Sequence, residues 1–143
     1  MTEPDIMAEI EALAKGWDDG GSGVKKAFES LRDHLFGKEA CLYFYKARPG
    51  VSYSIRAVHK DQQKRDFFII FDVIDDDPSD RWLSICFYGD MISDPDEMGD
   101  LIPGGLGGDD GYCFDLNDGS EEEVAYVAKR IDEAWTKAAG GEC

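Results

Sequence analysis

Between Cys41 and Tyr88 the chain sets apolar and polar positions in four short runs: CLYFYKA (41–47), VSYSIRAV (51–58), RDFFIIFDVI (65–74) and RWLSICFY (81–88). Patterning with a period of two predicts β-strands. In the second run Val51, Tyr53, Ile55 and Ala57 alternate with Ser52, Ser54 and Arg56, giving one apolar and one mixed face. An antiparallel sheet covered on one side has this composition. In the first run Leu42 and Phe44 alternate with Cys41, Tyr43 and Tyr45; in the fourth, Leu83, Ile85 and Phe87 alternate with Trp82, Ser84, Cys86 and Tyr88. The third, from Phe67 to Ile74, is apolar on both faces until Asp72 and reads as a central strand. Turn chemistry separates the runs: Arg48-Pro49-Gly50 after the first and DDDPSD (75–80) after the third. Tyr112–Leu116 offers a short fifth strand. Residues 89–111 carry no such pattern and are expected to form a long glycine-rich loop, a length that usually signals function or mobility.

Helical spacing flanks the strands. Ile6, Ile10 and Leu13 share one face of a first helix, with Thr2 as its cap, Pro4 in the first turn and Gly16 at its end. The break WDDGGSG (17–23) follows, and Ser22 is the expected cap of a second helix. There Val24, Phe28, Leu31 and Leu35 repeat at core-facing spacing, with Gly37 as a left-handed stop. A closing helix starts at Ser120, which forms a capping box with Glu123, and carries Val124, Val127, Ile131 and Trp135 on one face. The predicted fold is α+β: an antiparallel four- to five-stranded meander sheet, with two N-terminal helices and one C-terminal helix packed on it. It is expected to be a single domain over 1–143, with 1–21 as a helix and flexible break and 22–138 as the core.

Charge changes the picture more than composition does. The 143 residues hold 31 acids and 15 bases, a net charge of −16, with 43% hydrophobic and 12% aromatic content. That hydrophobic content argues against disorder. The charge disfavours nucleic acid and anionic membranes and would attract a basic protein. It is also uneven. Residues 41–71 hold Lys46, Arg48, Arg56, Lys60, Lys64 and Arg65 against Asp61 and Asp66, whereas 72–100 hold ten acids and Arg81 alone. Two electrostatically different faces are expected. Met1–Ile10 lacks the apolar core of a signal peptide, and no run approaches the length of a membrane span. The expected location is therefore the cytoplasm. Cys41, Cys86, Cys113 and Cys143 form no CxxC pair, and Cys41 and Cys86 read as small core residues.

Candidate chemistry is sparse. Asp94, Asp96 and Gly99 begin like a calcium loop, but Met98 and Gly105 stand where oxygen ligands are required. His34 and His59 have no complementary cysteine spacing and no local nucleophile motif, so neither a metal nor a cofactor is expected. Gly104-Gly105-Leu106-Gly107-Gly108 follows a proline and runs into Asp109-Asp110, which would repel a phosphate; a lid against the sheet fits better. The mixed sheet face holds Ser52, Ser54 and Arg56, and Tyr43, Tyr45, Trp82 and Tyr88 are candidates to join it as an aromatic platform with a basic rim. The candidate binding residues are Tyr53, Arg56, Trp82, Tyr88, Asp94, Asp109 and Asp110.

The order of Ser54-Ile55-Arg56, Asp94-Pro95, Gly107-Gly108-Asp109-Asp110, and Tyr126, Ile131 and Ala134-Trp135 resembles a small uncharacterised bacterial α+β domain. That domain occurs alone, or appended to predicted nucleases, and is labelled a predicted transport protein. The resemblance spans roughly 24–138. It implies the fold and an association role, and it supplies no catalytic residues. The function expected on these grounds is a non-enzymatic cytoplasmic binding or accessory domain, engaging a partner such as a basic protein through the acidic loop or the aromatic and basic sheet face. The alternative is a small-molecule-binding domain or hydrolase with its pocket between the sheet and residues 89–111.

Overall fold

Alternation along the four runs does produce strands. In the computed structural model, which describes residues 3–141, they are β1 (Cys41–Arg48), β2 (Ser52–His59), β3 (Ile69–Ile74) and β4 (Trp82–Tyr88). Two more follow, β5 (Asp100–Leu106) and β6 (Asp109–Leu116). The helices are α1 (Glu3–Lys15), α2 (Val24–Phe36) and α3 (Glu121–Ala139).

The sheet is antiparallel throughout, but it has six strands in the order β1-β2-β3-β4-β6-β5. This corrects the expected four- to five-stranded meander: β6 returns to pair with β4, and β5 lies outside it. The expected loop over 89–111 is thus largely a hairpin. Pro103, Gly104 and Gly105 have low strand propensity and hid β5. Gly107 and Gly108 close the hairpin between Leu106 and Asp109 with φ values of +65° and +100°, the doubly positive geometry of a two-residue turn.

One sheet face is closed. Ile55, Ala57, Ile69, Phe71, Val73, Leu83, Ile85, Phe87, Phe114 and Leu116 are all buried there. Phe28 of α2 meets Phe71 edge-on at 5.6 Å, and Tyr126 of α3 meets Phe114 at 6.0 Å. Ile6, Ile10, Ala14 and Trp17 belong to the same core, with Trp17 against Phe28 at 5.5 Å. Tyr43 also points inward, and its hydroxyl donates to the Leu35 carbonyl at 3.2 Å.

Local signals were met in part. The Ser120 hydroxyl accepts the Glu123 N–H at 3.3 Å, as a capping residue should. At α2 the carboxylate of Asp19 accepts the N–H groups of Gly23 and Lys25 at 3.0 and 3.1 Å, while Ser22 accepts only from Val24. The longer reach and charge of Asp19 make it the principal cap. Gly37 ends α2 at φ −75°, not in the left-handed region. The expected cap Thr2 lies outside the described residues.

Cys86 and Cys113 sit opposite each other on β4 and β6 and form a disulfide, with Cα atoms 4.1 Å apart. This corrects the reading of Cys86 as an unbonded core residue. The bond also runs against the expected cytoplasm, where thiols are kept reduced. No helix among the described residues is long and apolar enough to cross a membrane.

Candidate functional site

Because side chains alternate across a strand, burying the odd-numbered positions of β2 to β4 turns the even-numbered ones to the other face. Strand register then arranges that face in rows. One runs Phe44, Arg56, Ile70, Cys86, Cys113; the next runs Lys46, Ser54, Asp72, Ser84, Asp115; a third runs Arg48, Ser52, Ile74, Trp82. Leu42 and Phe44 are 48% and 55% exposed, large apolar groups held in water. Phe44, Lys46, Arg48, Ser54 and Arg56 line a depression of about 390 Å³. Past Arg56 a second depression of about 440 Å³ continues over Lys64, Arg65, Tyr88 and the β5–β6 turn.

The cations on and around this face fall into a paired and an unpaired set. Arg65 forms a bidentate pair with Asp90 at 2.6 and 3.1 Å and also reaches Asp109 at 3.3 Å. Arg81 pairs with the buried Asp75 at 2.7 Å. By contrast, among the described residues no carboxylate lies within 4.0 Å of the charged groups of Lys46, Arg48 or Arg56. Arg48 donates only to the Ser52 hydroxyl, at 3.3 Å. Asp72 lies in the middle row. Burial pushes its carboxyl above the usual range, while the Ser54 hydroxyl and the charges of Arg56 and Arg48 act against that shift. One of its carboxylate oxygens is buried without a hydrogen bond. Burial, with the charge of Asp100, likewise raises Asp115.

The aromatic groups of the face are already stacked. Arg56 lies over the Phe67 ring at 5.1 Å, Phe67 stacks on Tyr88 at 5.1 Å and 24°, and Arg65 covers the far side of Tyr88 at 4.0 Å. The sequence of layers is cation, ring, ring, cation. Such a column fixes Arg56 and fills the ring faces that a planar ligand would need.

The sequence-derived candidates are only partly brought together. Arg56 and Tyr88 meet through Phe67, and Asp109 joins them through Arg65. Trp82 shares the face but lies at its other end, opposite Ile74. Tyr53 points to the buried side, where Arg81 lies over its ring at 5.5 Å. Tyr43 and Tyr45 also take that side, a correction to the expected platform: the groups turned outward from β1 are Leu42 and Phe44. Asp94 is elsewhere. It accepts from the Tyr126 hydroxyl and from the Met98 and Gly99 N–H groups at 3.0 and 2.9 Å, fastening its loop to α3. Asp110 accepts the Gly104 N–H at 2.9 Å inside the β5–β6 hairpin.

Phe44, Lys46, Arg48, Phe67 and Asp72 belong to the site and were not singled out from the sequence. The alternation of Phe44, Lys46 and Arg48 was the available signal. Whether it faced the helices depended on which half of β1 packed inward, and Cys41 and Tyr43 settled that with more buried surface. Among the described residues no three metal-ligating side chains come together. No protein-family model, curated protein or solved structure matches this chain.

Proposed function

We propose that the chain is a non-enzymatic binding domain whose open sheet face receives an anionic partner, an association role of the kind that its resemblance to a small uncharacterised bacterial α+β domain implies. One observation carries this. In a chain with 31 acids and 15 bases, Lys46, Arg48 and Arg56 gather beside two exposed apolar groups with no carboxylate of the described residues in ion-pair range. Clustered like charges repel one another, and large exposed apolar side chains mark interaction surfaces. A partner with carboxylates and apolar groups relieves both costs together.

The expected basic-protein partner, engaged through the acidic 89–111 segment, is supported less well. Asp90, Asp94, Asp109 and Asp110 have partners within the fold, which leaves Asp96, Glu97 and Asp100 of this segment to meet a basic partner. The alternative of a small-molecule or hydrolytic pocket under this segment would use the depression over Arg56, Tyr88 and Asp109. There the ring faces are occupied and Asp109 is held by Arg65.

The test is an amide-shift NMR titration with two probes, a glutamate-rich peptide containing valine and an oligolysine peptide. The glutamate peptide is expected to shift resonances of β1 and β2, and to lose binding in the exposed double variant Lys46→Glu/Arg56→Glu. Binding of oligolysine alone, mapped to the acidic segments and indifferent to that variant, would replace this reading with the basic-partner one.

A further inference from the structure

The two edges of the sheet are built differently. At one edge β5 carries Pro103, two adjacent glycines, and a register irregularity between Ile102 and Leu106. Proline and bulges are devices that prevent an edge from pairing with another strand. At the other edge β1 pairs with β2 over eight residues without interruption, and it contains neither proline nor glycine. Its hydrogen-bonding phase is fixed by the Lys60 N–H, which donates to the Ala40 carbonyl at 2.8 Å. Continuing the antiparallel alternation, Leu42, Phe44 and Lys46 bond to β2, and the N–H and C=O groups of Tyr45 and Ala47 point away from the sheet. Among the described residues neither makes a backbone hydrogen bond outside the sheet ladder. Ala47 is exposed although it lies on the helix side, so the edge is open to solvent there, while Tyr45 is half-buried with Glu9 of α1 nearby.

We infer that β1 is a strand-addition site: an extended acidic segment of another protein pairs with its Phe44–Arg48 edge and sets carboxylates beside Lys46, Arg48 and Arg56. The inference rests on the open-face reading above and names its partner class and mode. An added strand takes main-chain hydrogen bonds from the edge and specificity from alternate side chains. Its side chains on the open face come within about 5 Å of Phe44 and Lys46 across the pair, close enough for ion pairs. Those on the other face cover Tyr45 and Ala47 and call for small apolar groups.

Charge also selects against a second copy of this chain. Antiparallel pairing of two β1 strands about Tyr45 sets Lys46 against Phe44 and Arg48 against Leu42, and gathers four cations along one seam. The same lysine and arginine that repel a like edge favour an acidic one.

The experiment uses the full chain and a blocked heptapeptide alternating glutamate and valine. Hydrogen exchange at the Tyr45 and Ala47 amides is expected to slow at saturating peptide. In Ala47→Pro the outward N–H is lost at an exposed edge position that tolerates proline. That variant is expected to keep its amide dispersion and bind about ten-fold more weakly, the equivalent of one main-chain hydrogen bond. If Ala47→Pro binds like wild type, or Tyr45 and Ala47 gain no protection, strand addition is overturned. Continued sensitivity to Lys46→Glu/Arg56→Glu would then show that the face binds the peptide by another mode. If the charge variant also binds normally, the open-face reading fails with it. Should Ala47→Pro not fold, the exchange measurement on wild type decides alone.

Discussion

Two aspartates three residues apart, Asp72 and Asp75, have carboxyl groups shifted in opposite directions. Asp75 is 2% exposed and lies between the β1–β2 turn, which reaches it through Gly50, and Arg81 at the entry to β4. Burial pushes its carboxyl up, but the Gly50 N–H at 2.9 Å and Arg81 at 2.7 Å outweigh that and leave it below the usual range. Arg81 is held in turn between Trp17 and Tyr53, each at 5.5 Å. A depressed carboxyl contributes stability above its unfolded value near pH 4, and that stability disappears as pH falls through the folded value. Arg81→Ala would leave a buried charge unpaired, at a cost of about 3–5 kcal/mol at neutral pH. Urea unfolding at pH 7 and pH 3 checks this, since the cost should shrink at the lower pH. Asp72 shows the converse. Its raised carboxyl means that ionisation weakens the fold, fully so above the folded value and not at all below about pH 4. Asp72→Asn is therefore expected to unfold at higher temperature than wild type at pH 7, and at the same temperature at pH 3. A lower melting temperature at pH 7 would show that Arg56 and Arg48 compensate the charge more than its burial costs.

What could be read of the fold follows from which elements carry a strong period. β1 to β4 and the stripes of α2 and α3 are regular enough to appear without any tertiary information. The β5–β6 hairpin is not, because Pro103, Gly104 and Gly105 lack the branched side chains that mark a strand. The adjacent glycines 107 and 108 were the one usable signal, and they resemble a flexible lid equally well. The disulfide was hidden for a related reason. Pairing Cys86 with Cys113 requires β6 to pass β5 and bond to β4, a connection that no local pattern encodes. Arg56 and Tyr88 were found in the candidate site because alternation alone places them. Asp72, Phe67 and Lys46 needed the register. The disulfide, with a sequence separation of 27 residues, restrains the unfolded chain by about 3–4 kcal/mol on loop-entropy grounds. Reduction, or Cys86→Ser with Cys113→Ser, should lower the urea midpoint accordingly, with intact mass reporting the oxidation state. An unchanged midpoint after full reduction would mean that the β4–β6 ladder holds without the bond.

Taken whole, the molecule sets a large negative charge against one small basic face, and the two should respond to salt in opposite directions. Self-repulsion among 31 acids and 15 bases weakens the folded state at low ionic strength. Raising salt from 0.01 to 0.15 M shortens the screening length from about 30 to about 8 Å, which relieves repulsion between acids on different elements. The close pairs of Arg65 with Asp90 and of Arg81 with Asp75 lie well inside either length and should change much less. Thermal stability is therefore expected to rise with salt over this range. Attraction between Lys46, Arg48 and Arg56 and an acidic peptide should weaken over the same range, because these groups are solvated until the partner arrives. Both trends can be measured on one preparation, by calorimetry of the free chain and by titration with the glutamate–valine peptide. Stability that falls with salt would assign the dominant electrostatic role to the internal ion pairs. Peptide affinity that holds constant while stability rises would separate the basic face from the binding event, and leave Leu42 and Phe44 as its source.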